Sequence, residues 1–396
     1  MIDDEILADD RPAGARTWRR PHLATAGLEA LFGPAGNSIG FLRFALAATV
    51  VVHHSYRLSG HADPLSRLTR DHVDLGIVAV AGFFALSGML IARSADRSRS
   101  TADYLWHRVL RIFPGFWVCL VVCAALFGPL FWFVEHRTFD GYLAITENGP
   151  LSYVLSNASL AVGQAQIDQL LPTNPYPFGM NGSLWTLPYE FAWYLVTGAV
   201  AALGLLKRRL AVTILLVLLV LPQNLGLPQP LLAVPGLGYA LSSRFGLAFT
   251  AGILAYLWRD RIRLDDRLAA VAVVAGLAAA FGRLFPVVGV VALSYWLLWA
   301  AWRLPLRGFD RRRDMSYGLY IYAFPVQQGL ALSGVAAMPI PVFFAASLLA
   351  TIPFAIASYD LIEGPALRLK RWRPSFVRRR QTLEPAIPVE SVGPPT

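Results

Sequence analysis

The run NSIGFLRFALAATVVVHHS, residues 37–55, decides the fold. It is about as long and apolar as a bilayer-spanning helix needs to be, yet it carries Arg43, His53 and His54. Ionisable groups inside such a run cost about 2.5–3.5 kcal/mol or more at the bilayer centre, so they mark function by default. Arg43 and His54 are 11 positions apart. On a helix that spacing puts them within about 20° of one face and about 16 Å apart along the axis. One face thus offers a cation near one end and an imidazole near the other. The plain alternative is a snorkelling Arg and a helix-end His touching headgroups. His53 points about 100° away and reads as packing.

The rest of the chain repeats the pattern. Of 396 residues, 56% are hydrophobic and only 15% charged, against roughly 25% charged in soluble domains. Ten apolar runs read as spans, near residues 39–57, 74–93, 112–134, 184–206, 208–222, 240–258, 267–283, 285–302, 315–334 and 340–361. With the N-terminus inside, the inner segments hold 28 of the 35 Lys and Arg and the outer ones 6, Arg43 lying within the first span. That asymmetry predicts an all-α polytopic bundle of about ten transmembrane helices with both termini cytoplasmic. The net charge of +10 then reflects sidedness, and nucleic acid is not an expected partner. Membrane lipids are. The expected organisation is a cytoplasmic tail over 1–36, a membrane domain over 37–373 and a tail over 374–396 of disordered composition. Residues 135–183 form a long outer loop, a length that usually carries function. Cys119 and Cys123 lie one helical turn apart in an apolar run and read as small hydrophobes; no metal-ligand spacing is present, so no metal is expected.

Three further runs carry chemistry. In DYLWHRVLRIFPGFW, Arg108 and Arg111 sit at i, i+3 and share a helix face. Two guanidinium forks suit a phosphate, although positive-inside anchoring explains them equally. In NGSLWTLPYEFAWYL, Glu190 falls in an apolar helix and must pair with a cation or handle a proton; His54 or an Arg is its expected partner, and a salt bridge for packing is the bland reading. In AGFFALSGML, Gly82, Ser87 and Gly88 permit close helix approach. The Tyr residues of DMSYGLYIYAFPVQQ read as interfacial packing.

Taken together, these runs resemble the membrane-bound acyltransferase family 3, bacterial integral membrane O-acyltransferases of glycans and lipids. Arg43 and His54 fit its Arg, ten residues, His signature. GFFALSGMLIARS, RVLRIFP, SLWTLPYE, SYGLYIYAFP and IEGPALRLKR resemble further motifs in order, over roughly residues 37–373. One departure is Ala323, where many members carry a His. The resemblance implies a bacterial-type inner (plasma) membrane location. It also implies an acyl-CoA donor, most often acetyl-CoA, as a substrate rather than a permanently bound cofactor, and a glycan or glycolipid acceptor. On that footing Arg43, Arg108 and Arg111 would hold the donor's phosphates, and His54 would be the general base, with an acyl-His intermediate as the open alternative. Glu190 would orient His54. Trp185, Tyr189 and Asn181, with Tyr153 and Tyr176, would frame a sugar. The rival readings are a glycan or lipid transporter or flippase, for which matching broken halves are not found, and a structural partner in an envelope-synthesis complex.

Overall fold

A computed structural model describes residues 25–372 apart from 35, 145, 169, 178, 226–244 and 311. Most of the expected N-terminal tail, the tail 374–396, Arg244 and the start of the 240–258 span lie outside the described residues.

The chain forms α1 (Ile39–Arg57), α2 (Pro64–Thr69), α3 (Leu75–Arg97), α4 (Thr101–Val122), α5 (Gly128–His136), α6 (Pro150–Asn157), α7 (Leu187–Ala202), α8 (Arg209–Asn224), α9 (Gly246–Leu257), α10 (Asp266–Phe281), α11 (Val290–Arg303), α12 (Ser316–Leu332), α13 (Ile340–Ser358) and α14 (Gly364–Arg368). Among the described residues the expected spans overlap these helices, that at 112–134 running from α4 into α5 and that at 240–258 being described only from residue 245. Among the described residues, five are long and apolar enough to cross a membrane: Ile39–Arg57, Leu75–Arg97, Thr101–His136, Phe285–Arg303 and Ile340–Arg368. Three of them contain a wide π turn, at Cys123–Phe127, Phe285–Gly289 and Tyr359–Glu363. Such turns leave the helix continuous while shifting its face.

Helix starts follow side-chain chemistry. Asp74 accepts from the Ile77 amide to begin α3, and Ser100 from the Asp103 amide to begin α4, as N-caps do. Residues expected to be tail also join the fold. β1 (Thr25–Gly27) pairs antiparallel with β2 (Arg263–Asp265), and Leu28 and Leu31 after it are buried.

The tightest pair is α3 on α9. Cβ atoms at Gly88 or Gly252 would run into the carbonyl oxygens of Phe249 or Ala85, so these glycines let the two backbones touch, as small residues do between membrane helices. Helix α1 lies against α3, α12 and α13. The 135–183 loop is stitched down by amides. Asn174 donates to the Gln328 side chain (2.8 Å), and Gln328 donates to the Gly179 carbonyl (2.8 Å). Asn181 donates to the Ile321 carbonyl (2.8 Å). Pro325 sits four residues after Ile321 and has no N–H, so Asn181 supplies the donor that the kinked helix lacks.

Candidate active site

Two cavities lie end to end along α1. The one at the His54 end, about 240 Å³, is lined by His53, His54, Asp74, Tyr176, Trp185 and Phe324 among others. The one at the Arg43 end is about 40 Å³ and includes Arg43, Ser87, Thr186, Glu190 and Tyr317. Val80 and Tyr320 line both. The Tyr320 hydroxyl is bonded to Thr186 Oγ1 at 2.6 Å, which holds that ring between the two spaces.

At the narrow end the charges are balanced. Asp314, just before α12, accepts from Arg43 (2.9 Å) and from Arg111 (2.6 Å). Arg111 also lies 3.7 Å from the buried Glu363 carboxylate. Burial alone would raise the Asp314 carboxyl, but Arg43 and Arg111 hold it well below the usual carboxylate range. Arg108 diverges from Arg111 despite their shared helix face. It donates to Ser94 Oγ at 3.3 Å and lies over the Tyr104 and Tyr194 rings, while its buried Nε has no hydrogen-bond partner. Beyond it opens a basic cavity of about 480 Å³ lined by Arg93, Arg97, Arg99, His107 and Lys370. Burial, with Arg108 and Arg111 nearby, pushes the Lys370 ammonium down to about 8.

Glu190 does not reach His54. Its carboxylate accepts from Ser87 Oγ (2.8 Å) and the Tyr194 hydroxyl (2.5 Å), so its partners are hydroxyls on the Arg43 side of Tyr320, and the expected orienting role toward His54 is not made. The reason is register: α7 places Glu190 in the narrow cavity, while the 3-10 turn Leu184–Thr186 ahead of it leaves Trp185 in the wide one.

At the wide end, His54 packs edge-on against Phe324 (4.9 Å between centroids), and its Nδ1 is buried without a hydrogen-bond partner. Gly182 seats Phe324: a Cβ there would lie 2.6 Å from the ring. The neighbouring His53 is the imidazole with carboxylates, Asp63 at 2.9 Å and Asp74 at 3.9 Å. Trp185 lines the cavity, and Tyr189 meets Trp185 edge to face. Asn181 and Tyr153 are buried away from it, Asn181 being committed to Ile321.

Sequence reasoning missed Asp314, Asp63, Asp74, Tyr320 and Lys370. Two carried a local signal: Asp63 before Pro64, and Asp74 before an apolar run, have the form of helix caps.

The sequence profile of the acyltransferase domain family matches residues 37–360. The O-acetyl transferase of Shigella phage Sf6 is 30% identical over 300 residues, covering 74% of this chain and 85% of that protein. Nodulation protein 10 of Rhizobium leguminosarum bv. viciae is 28% identical over 372 residues, covering 87% of this chain and 96% of that protein. No solved structure matches the chain.

Proposed function

The chain belongs to the membrane-bound acyltransferase family 3, and from that premise we propose that it moves an acetyl group from cytoplasmic acetyl-CoA to a hydroxyl of a glycan or glycolipid on the far side of a bacterial inner membrane. On this reading ten helices cross the bilayer, both termini are cytoplasmic, and the Arg43 end faces the cytoplasm. The observation that carries it is the pair of end-to-end cavities, one lined by Arg43 and the other by His54, along a helix whose two marked residues stand about 16 Å apart. An extended pantetheine arm has the length of such a path and passes along it by displacing the Tyr320 ring that divides the two cavities.

The donor's nucleotide and phosphates lie in the basic cavity of Arg93, Arg97, Arg99 and Lys370, next to Arg108. The unpartnered Nε of Arg108 is a donor awaiting an acceptor. Arg43 and Arg111 share one carboxylate between them; each guanidinium has five N–H groups, which leaves donors over for the pyrophosphate. Glu190 and Ser87 line the way of the arm, and the Tyr194 hydroxyl holds the Glu190 carboxylate. The thioester reaches the wide cavity beside His54, which acts either as base to the incoming hydroxyl or as transient carrier of the acyl group. Trp185 offers a sugar ring its face, with Tyr189 behind it.

The test is transfer of radiolabelled acetyl from acetyl-CoA to the glycan of native membranes. His54→Ala is expected to lower it by about 100-fold or more, and wild-type transfer in that variant would remove His54 from the chemistry. CoA is expected to raise the melting temperature of the purified protein; no shift would refute the donor assignment.

A further inference from the structure

The two adjacent imidazoles of the wide cavity are held in opposite ways. His54 has no protein partner on Nδ1 and is located by packing against Phe324. His53 is gripped. Its Nδ1 lies 2.9 Å from Asp63 Oδ2, and Asp63 is 2% exposed. That carboxylate also accepts the backbone N–H groups of Leu65 (3.0 Å), Ser66 (3.0 Å) and Leu75 (3.2 Å). Four donors converge on it, so it cannot turn away from the ring. A carboxylate oxygen only accepts, so Nδ1 is the donor of this bond in the tautomer that leaves the lone pair on Nε2. Nε2 makes no hydrogen bond among the described residues, and His53 lines the cavity. The ring lies directly over Gly76, where a Cβ would come within 2.7 Å of it; only glycine leaves the imidazole this seat.

We propose, on the acyl-transfer reading above, that His53 held by Asp63 is the base that takes the proton of the acceptor hydroxyl. An imidazole that lines the substrate space, with its Nδ1 fixed by a buried carboxylate and its Nε2 free of protein hydrogen bonds, is the arrangement of an oriented general base. In the transfer the hydroxyl oxygen forms the new C–O bond at the acyl carbon and its proton passes to Nε2 of His53. The C–S bond breaks, its electron pair leaves with the CoA sulfur, and the thiolate takes up that proton. If the acyl group rests first on His54, its ring nitrogen forms the C–N bond as the C–S bond breaks and a His54 ring proton passes to the thiolate; the hydroxyl oxygen then forms the C–O bond as the C–N bond breaks, and the hydroxyl proton passes through Nε2 of His53 to the released His54 nitrogen. Asp63, with Asp74 at 3.9 Å, faces the positive ring formed in between. His54, with no partner of its own, is left to meet the acyl group. The sequence hid this role because His53 lies off the Arg43–His54 face, and the residue that orients it is ten positions away across a turn.

The experiment uses native membranes carrying the full chain and its endogenous acceptor, with radiolabelled acetyl-CoA. His53→Ala and His53→Gln are expected to lower turnover at saturating donor by about 100-fold or more, with the donor KM unchanged. Added imidazole is expected to restore a large part of the His53→Ala loss, because the vacated ring opens onto the 240 Å³ cavity. Asp63→Asn is expected to lower turnover without imidazole rescue. The proposal is overturned if His53→Gln or Asp63→Asn turns over like wild type. It is equally overturned if His53→Ala loses activity that imidazole leaves unrestored while its melting temperature and its stabilisation by CoA stay at wild type, which is packing. Absence of label transfer by wild-type membranes would instead sink the acyl-transfer reading itself.

Discussion

Replacing Asp314 with Asn removes one negative charge and almost no volume, at a point where two cations meet. Arg43 and Arg111 both bond to Oδ2, at 2.9 and 2.6 Å, and all three side chains are no more than 21% exposed. Breaking a buried pair by neutralising one partner costs about 3–5 kcal/mol, because the other charge is left uncompensated. Arg111 keeps Glu363 at 3.7 Å, so the lower end, about 3 kcal/mol, is expected. At about 2–4 °C per kcal/mol, the melting temperature of the detergent-solubilised protein should fall by about 6–12 °C, which its 11 Trp residues allow to be followed by fluorescence. CoA should narrow the deficit, since a phosphate would replace the missing carboxylate between the two guanidinium groups. The Asp314 carboxyl is held below the ordinary carboxylate value, so its contribution is present above about pH 4 and is lost as pH falls further. The wild-type advantage over Asp314→Asn should therefore be level from about pH 5 to 8. A variant melting within about 1 °C of wild type at pH 7 would refute this account of the narrow end.

Two further outcomes follow from the geometry. Lys370, with its ammonium pushed down to about 8, is charged below that pH and neutral above it; donor KM should therefore rise as pH passes from 7 to 9, and Lys370→Met should show a higher KM with that rise flattened. Gly88→Ala should cost about 1–3 kcal/mol, read as a lower melting temperature, because the carbonyl of Phe249 that its Cβ meets is backbone and cannot rotate away.

What the sequence carried and what it did not divide along a physical line. Hydropathy is a local property, so α1 was legible to the residue, and the placing of Arg43 and His54 toward its two ends followed from helix geometry alone. The partner of Arg43 was not legible, because Asp314 is 271 positions away and no local period relates them. Arg108 and Arg111 share a face by spacing, yet the structure sends one to α3 and the other to Asp314, since a helix face says where side chains start and not where their long arms end. Asn181 read as a sugar-binding amide because a polar residue in an outer loop invites that reading; the missing N–H of Pro325, 144 positions on, is what claims it. His53 was set aside on the same helical wheel that singled out His54. A wheel drawn for one helix does not contain the loop that returns to cover its end.

Tyr320 has a bearing on the cell as well as on the reaction. On the proposed reading the two cavities form a path through a membrane with charged groups at both mouths, which risks being a leak, since an ion crossing a potential of 100 mV releases about 2.3 kcal/mol. The stretch beneath Tyr320 has about 40 Å³ of free space, room for about one or two waters and not for a continuous wire of them. With Val80 beside it in the lining of both cavities and Thr186 holding its hydroxyl, this ring would be an electrical insulator on the proposed reading. A thioester arm that displaced it would fill the gap it left, so the proton-motive force would survive every turnover.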